Sequence, residues 1–290
     1  MAEPAQAIDR AQVRRRFERA ARTYAAASPL EAEIGTRMLE RLDYMRAAPR
    51  RILDAGAGPA REAQALLARY PGAALVTLDS AHAMLQAGRR RSWRDWLRRG
   101  SRALPVVADF AQLPLAAGGV DLLWSNMALH WAGSQDSVLR EFARVLAPGG
   151  LLMFSTLGPD TLKELRQAAG AARVHSFMDM HDLGDALVAA GFSAPVMDAE
   201  IVTLTYADPD GLISDLRRSG QTSARTDRAR GLRGRSFRER LRAALVAQAG
   251  DSRISATFEV VYGHAWRGEK RHAQDGRTVI RTDALRHQNR

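Results

Sequence analysis

Hydrophobic and polar positions along the chain follow two alternating rhythms. Short apolar runs recur at Arg51 to Ala55, Ala74 to Leu78, Leu104 to Val107, Val120 to Trp124 and Leu151 to Ser155. Between them, near Arg61 to Tyr70, Ala81 to Gly88 and Ser134 to Leu146, apolar residues return every three or four positions. Strands covered on both faces read as continuous apolar runs, and the helices covering them as one-sided stripes. The alternation predicts an α/β fold with a doubly wound, mostly parallel sheet. Two helices precede it: Ile8 to Arg22, and Pro29 to Tyr44 with Leu30, Ile34, Met38, Leu39 and Leu42 on one stripe. After residue 157 the rhythm changes. Helices are expected at Thr161 to Ala171 and Asp179 to Ala190, then a strand at Pro195 to Tyr206. A basic helical stretch follows from Asp208 to Ala249, and a last antiparallel strand at Ile254 to Trp266.

The expected organisation is an N-terminal helical lid over 1–48, a ligand-binding core over 49–157 and an inserted helical cap with a sixth strand over 158–252. A last strand over 253–267 completes the core, and a disordered basic tail spans 268–290. With 290 residues, 46% hydrophobic and 26% charged, the chain has an ordinary globular composition. No run approaches the roughly 18 uninterrupted apolar residues of a membrane span. The absence of cysteine excludes a disulfide framework, a thiolate metal site and a cysteine nucleophile, and fits a reducing cytoplasm. The first helix is arginine-rich like a transit peptide, but Glu3, Asp9 and Glu18 interrupt it, so it reads as integral. No metal site is expected.

Net charge is +11, and every cationic residue except Lys163 and Lys270 is arginine. That excess fits either a polyanionic partner or plain coding bias. Seven arginines surround Trp93 and Trp96 between Arg89 and Arg102. Ten more lie between Arg217 and Arg242, with only Asp227 and Glu239 opposing them inside that window.

The strongest local signal is Leu53-Asp54-Ala-Gly56-Ala-Gly58-Pro59, a strand entering a glycine-rich turn and then a helix. Gly56 and Gly58 permit a backbone path and a close ligand approach that a β-carbon would block. About 20 residues on, Asp79 ends the next strand, where a carboxylate can accept both hydroxyls of a ribose. A dinucleotide site would carry a third glycine where Arg61 stands, so a nicotinamide dinucleotide is the less attractive ligand.

These residues resemble motif I of the class I S-adenosylmethionine-dependent methyltransferases, and Val76 to Asp79 resembles their motif II. Ala108-Asp109-Phe110 with Leu113-Pro114, Asp121 to Asn126, and Arg144 to Gly150 as the turn before the fifth strand continue the likeness in order. The resemblance implies S-adenosylmethionine as cofactor. It places Gly56 and Gly58 against the cofactor through backbone, Asp79 on the ribose, Asp109 and Phe110 at the adenine, and Asn126 at the methionine end. Asp54 is expected to anchor the glycine loop by hydrogen bonds. The third glycine of the family's loop is Ala60 here.

Outside the core, Val13 to Tyr24, Trp124 to Trp131, Phe154 to Gly158 and Ala256 to Trp266 resemble the malonyl-acyl-carrier-protein O-methyltransferases of biotin synthesis. Gly158 to Leu165 and Asp182 to Gly184 are also similar to the methyltransferase-like arginine hydroxylases that assemble respiratory complex I. The first resemblance implies carboxyl methylation, with Tyr24 as a lid tyrosine and Asn126 as the catalytic pair, and an acidic carrier protein bearing a malonyl thioester as partner. Carboxylates are already ionised at neutral pH, so the transfer needs no general base. Ser125-Asn126-Met127-Ala128 lacks the Asn-Pro-Pro-Tyr clamp of adenine or glutamine N-methylation. His130, where the family commonly carries glutamine, reads as structural or substrate-lining, with general base as the rival. Arg217 is a candidate for a substrate carboxylate or the carrier's phosphopantetheine. Carrier protein is placed ahead of nucleic acid, since the second arginine cluster holds only Phe237 for stacking. A methyltransferase on another small acid or on RNA, the hydroxylase and a non-catalytic adaptor remain open alternatives.

Overall fold

The computed structural model describes residues 8–89, 103–228, 234–249 and 253–268. Three helices open the chain: α1 (Arg10–Ala20), α2 (Tyr24–Ala27) and α3 (Pro29–Arg41). The core follows as β1 (Arg51–Ala55), α4 (Ala63–Arg69), β2 (Ala74–Asp79), α5 (His82–Arg89), β3 (Ala103–Val107), β4 (Val120–Ser125), α6 (Gln135–Val145) and β5 (Leu146–Leu157). Then come α7 (Lys163–Ala169), α8 (Met180–Ala189), β6 (Phe192–Tyr206), α9 (Pro209–Arg218), α10 (Arg235–Ala247) and β7 (Ile254–Arg267).

The seven strands form one sheet in the order β3-β2-β1-β4-β5-β7-β6. All neighbouring pairs from β3 to β5 are parallel, and β7 runs antiparallel to both β5 and β6. Each central strand alternates between two cores. Ile52, Leu122, Trp124, Leu151 and Met153 face α3 and α4, whereas Leu53, Leu123, Leu152 and Phe154 face α6 and α8. The predicted stripe on α3 is real: Leu30, Ile34, Met38 and Leu42 are buried, each worth about 1.5–3 kcal/mol against exposure.

Of the acids that interrupt the first helix, Asp9 and Glu18 are structural ties, and Glu3 lies outside the described residues. Asp9 caps α1 by accepting from Gln12 N at 3.0 Å, and Glu18 accepts from Ala83 N at 3.1 Å in the first turn of α5. The expected turn over Arg144 to Gly150 is instead drawn into the sheet. Val120 pairs Leu146 but Leu122 pairs Leu151, so Ala147, Pro148, Gly149 and Gly150 form a bulge opposite Asp121, with Gly149 at φ +74°. β6 begins at Phe192, earlier than the proline suggests, because pairing with β7 extends across an irregularity between Ser193 and Val196. The described residues of the basic stretch 208–249 hold two helices, and the proposed tail lies outside the described residues apart from Gly268.

The first arginine cluster also lies outside the described residues, except Arg89 at the end of α5. The second, over most of its described arginines, is not an open cationic face. Acids from elsewhere neutralise it: Asp210 pairs with Arg238 at 3.1 Å and with Arg242, and Asp9 pairs with Arg228 at 3.3 Å. Within the window, Arg225 is held by Asp227 at 2.6 Å and Arg235 by Glu239 at 3.1 Å. Among the described residues no helix is long and apolar enough to cross a membrane.

Candidate functional site

The glycine loop emerges at the C-terminal edge of β1, where a parallel sheet opens its crevice. Gly56 and Gly58 both take positive φ, +78° and +53°. The amides of Gly56 and Ala57 donate to the Leu78 carbonyl at 2.8 and 2.9 Å, and Gly58 N donates to Asp79 Oδ2 at 2.8 Å. A β-carbon on Gly56 would lie 2.3 Å from Ala128 Cβ, so the loop and the segment after β4 meet only through glycine. At Gly58 the same atom would face Tyr24 across 4.0 Å. These bonds correct the expectation for Asp54. No loop amide reaches its carboxylate; the end of β2 anchors the loop instead, and Asp54 Oδ2 is buried without a hydrogen-bond partner. Ala60 also adopts positive φ (+53°) and packs on the core beside α3 and α4.

A cavity of about 360 Å³ opens over this loop, and it gathers most of the sequence-predicted residues: Tyr24, Gly56, Gly58, Asp79, Asp109, Phe110 and Asn126. Asp79 accepts from Gly58 and, through Oδ1, from Ala81 N at 2.7 Å. Burial pushes its carboxyl up to about 6 against the pull of those amides. Asp109 accepts from Ala111 N at 2.9 Å and from Arg10 Nη1 of α1 at 2.8 Å. α1 thus crosses the cavity and is fastened on its far side.

A smaller cavity of about 30 Å³ adjoins it, sharing Tyr24, Gly56, Gly58 and Asn126, and its other walls include Glu31, Asp54, Arg61 and Glu62. Glu31 Oε1, like Asp54 Oδ2, is buried with no partner. Burial raises Glu31 to about 7, lifts Asp54 well above the carboxyl range and raises Glu62 as well. Burial also lifts the Tyr24 phenol well above its usual value. The Arg61 guanidinium is turned to Ser28, donating to its carbonyl at 3.0 Å and its hydroxyl at 2.8 Å. Asn126 is engaged at both ends of its amide. Nδ2 donates to the Glu31 carbonyl at 2.9 Å and to Glu62 Oε1 at 3.2 Å, and Oδ1 accepts from Ser155 at 2.8 Å. Asn126 thus ties α3 to the segment after β4 while lining both cavities.

His130 and Arg217 fall elsewhere. Both line a second cavity of about 300 Å³ under α7, α9 and α10, together with His175, Phe177, Leu216 and Phe237. Trp131, 9% exposed, belongs to the walls of both large cavities. His130 sits in a short turn of 3-10 helix, Leu129–Trp131, with its ring 5.2 Å from Trp131 and 5.8 Å from Phe177. Burial drives its imidazole down to about 3, so it is neutral at physiological pH, with Nδ1 3.5 Å from Thr156 Oγ1. His175 is lowered to about 4 by burial and then by Arg16 and Arg225, and its Nε2 accepts from Ala224 N at 2.9 Å. Arg217 is exposed at the rim and has no ion pair among the described residues.

Sequence reasoning missed Glu31, Glu62 and Trp131. A signal for Glu31 was present: it shares a helix face with Gly35 and Met38, putting an acid on a buried stripe. Among the described residues no group of His, Cys, Asp and Glu could hold a metal ion.

The family described as a methyltransferase domain matches residues 53–154, from the glycine loop to β5. The chain is 50% identical over 282 residues to a malonyl-[acyl-carrier protein] O-methyltransferase of Laribacter hongkongensis, covering 94% of this chain and 95% of that one. It is 49% identical over 269 residues to the enzyme of the same name from Methylovorus, covering 91% of each. Among solved structures, the YcgJ protein of Bacillus subtilis superposes with a TM-score of 0.57 at 16% identity, covering 81% of this chain and 99% of that one, a likeness of fold. The chain therefore belongs to the malonyl-[acyl-carrier protein] O-methyltransferases, within the class I S-adenosylmethionine-dependent methyltransferases.

Proposed function

We infer that this chain transfers a methyl group from S-adenosylmethionine to the free carboxylate of a malonyl thioester on an acidic acyl-carrier protein, an early step of biotin synthesis. One observation carries the reading: two cavities of opposite character meet at Trp131. The donor side fits the cofactor. Buried carboxylate oxygens without partners are costly unless a cation meets them, and Glu31 and Asp54 each present one beside the glycine loop. The methyl donor brings two cations, an ammonium and a sulfonium. Asp79 would hold its ribose, Asp109 and Phe110 its adenine, and Glu31, Asp54 and Glu62 its ammonium end. When bound, it supplies an electrophilic methyl carbon.

The protein's part is orientation and exclusion of water. A carboxylate oxygen of the acceptor forms the new bond to carbon while the carbon–sulfur bond breaks and sulfur keeps the electron pair. No proton moves. A base is unnecessary, and the neutral, buried His130 serves as wall and hydrogen-bonding partner. Tyr24, beside Gly58, closes the donor site, with α1 to α3 acting as lid and the 158–252 region as cap. A chain without cysteine and a carrier-protein thioester are both at home in the cytoplasm, where we place the reaction.

The test is direct. Purified protein, S-adenosylmethionine and malonyl-carrier protein should give an acceptor heavier by one methylene and stoichiometric S-adenosylhomocysteine. No mass gain on the malonyl acceptor under conditions where S-adenosylhomocysteine binds would refute the assignment.

A further inference from the structure

The second cavity has two unlike ends. Its inner end, at His130 and Trp131, is buried and abuts the donor cavity, while its outer end opens at Arg173 and Arg217. The rest of the lining is mostly apolar, Phe177, Leu216 and Phe237 among it, with Thr161, Gln221, Thr222 and Ser223 as uncharged polar groups. No carboxylate stands among its described lining residues, so nothing there repels an anion. Most described arginines around it are neutralised: Arg225, Arg228, Arg235, Arg238 and Arg242 each hold an acid. Among the described residues Arg173 and Arg217 hold none. Arg173 is instead steadied over the Phe237 ring, its guanidinium carbon 4.3 Å from the centroid.

A small dianion cannot use such a site, because the place of reaction is buried and the free cations are at the mouth. The ligand that fits is elongated, with a carboxylate at one end, an uncharged amide chain along the middle and a second anion at the other. We propose that this cavity receives the acyl-pantetheine arm of the carrier protein, with Arg173 and Arg217 gripping the arm's phosphodiester at the entrance. Guanidinium matches phosphate oxygens in charge and fork geometry. The phosphate contact also acts as a ruler: with the phosphodiester held at the rim, the length of the arm sets how deep the carboxylate reaches. This assignment rests on the carboxyl-methylation reading and specifies how its acceptor is held.

Two acceptors test it, malonyl-4′-phosphopantetheine and malonyl-pantetheine, which differ only in the phosphate. The intact chain should prefer the phosphorylated acceptor about 10-fold in kcat/KM, the size of one charge-assisted contact at a partly exposed site. In the Arg173→Ala/Arg217→Ala double variant that preference should fall below about 2-fold; a change of fold or packing would not collapse a ratio between two acceptors. A preference unchanged in the double variant overturns the proposal. Leu216→Trp, which fills the channel, should raise KM for malonyl-carrier protein at least about 10-fold while S-adenosylhomocysteine still binds; unaltered KM also overturns it. A dependence on the two arginines seen with malonyl-coenzyme A but absent with malonyl-carrier protein would assign them to the nucleotide phosphates and overturn it as well. If neither small acceptor is methylated by the intact chain, calorimetric binding of both to protein saturated with S-adenosylhomocysteine gives the same ratio. A loss of turnover with the ratio preserved in binding would then fault the reaction and leave the site standing.

Discussion

The two large cavities that meet at Trp131 differ in the charge of their walls. The donor side and its small annex collect Glu31, Asp54, Glu62, Asp79 and Asp109, three of them within 8% of full burial. The acceptor side has no acid among its described lining residues and instead presents two neutral imidazoles and two arginines. A methyl transfer that joins a cationic donor to an anionic acceptor requires such a division. On the donor side the buried, unpartnered oxygens of Glu31 and Asp54 are a cost to the ligand-free protein that an arriving cation would offset.

Breaking the donor half has the largest expected effect. Asp79 accepts two amide bonds and stands where the ribose would lie, so Asp79→Asn removes the charge from both roles. Charge-assisted bonds are worth about 1.5–3 kcal/mol each, which predicts a loss of S-adenosylhomocysteine affinity of about 100-fold by calorimetry. Acceptor binding should change far less, and equal losses on both sides would erase the division between the cavities.

Glu31 sharpens the comparison through pH. Its carboxyl is raised to about 7, above the unfolded value of 4.5, so the folded apo-protein holds a proton there that the unfolded chain has already released. The sign follows: relative to acid conditions, Glu31 destabilises the ligand-free fold as pH rises through and above the unfolded value, reaching about 3 kcal/mol by pH 8. A cationic ligand favours the deprotonated form, so S-adenosylhomocysteine should bind more tightly from pH 6 to pH 8 and release a proton on binding near pH 7. Glu31→Gln should flatten that profile, weaken binding at pH 8 by about 10-fold and raise the melting temperature of the ligand-free protein at pH 8. A profile unmoved by the substitution would show that the acid cluster does not meet the cofactor.

On the acceptor side the expected effect is smaller. His130 stays neutral down to about pH 3, so turnover should show no inflection near 6.5 from this residue. His130→Gln keeps a neutral hydrogen-bonding side chain of similar reach and should lower kcat no more than about 5-fold. A loss of several orders would establish His130 as a base.

How far the sequence reveals these two halves differs for a physical reason. The sheet, the glycine turn and Asp79 were legible because each is local: strand periodicity, positive φ and one acid at a strand end lie within about 30 residues. The acid annex was not, because Glu31, Asp54 and Glu62 come from α3, β1 and the start of α4, and only packing joins them. The role of Asp54 was misread for the same reason, since the bonds that secure the loop come from β2. The acceptor cavity was least legible. Its walls run from His130 to Phe258, and although Arg217 was named from the sequence, only folding showed which of its described neighbours find acids and brought Arg173 to the same cavity.

Ala60 offers the finest test, because it separates fold from ligand at one atom. Its backbone sits at φ +53°, a left-handed conformation that costs a residue with a β-carbon about 1 kcal/mol or more. The family's third glycine would relieve that strain. Its methyl group packs against the core and is absent from the described walls of the donor cavity, so the departure from the family pattern is expected to leave cofactor affinity unchanged. Ala60→Gly removes strain but also removes a little apolar burial and loosens the unfolded chain. The balance should be a small gain in stability, about 0.5 kcal/mol in urea unfolding, with S-adenosylhomocysteine affinity unchanged within about 2-fold. Tighter cofactor binding in the glycine variant would mean that the methyl group does intrude on the donor half, so that packing and recognition overlap at this residue.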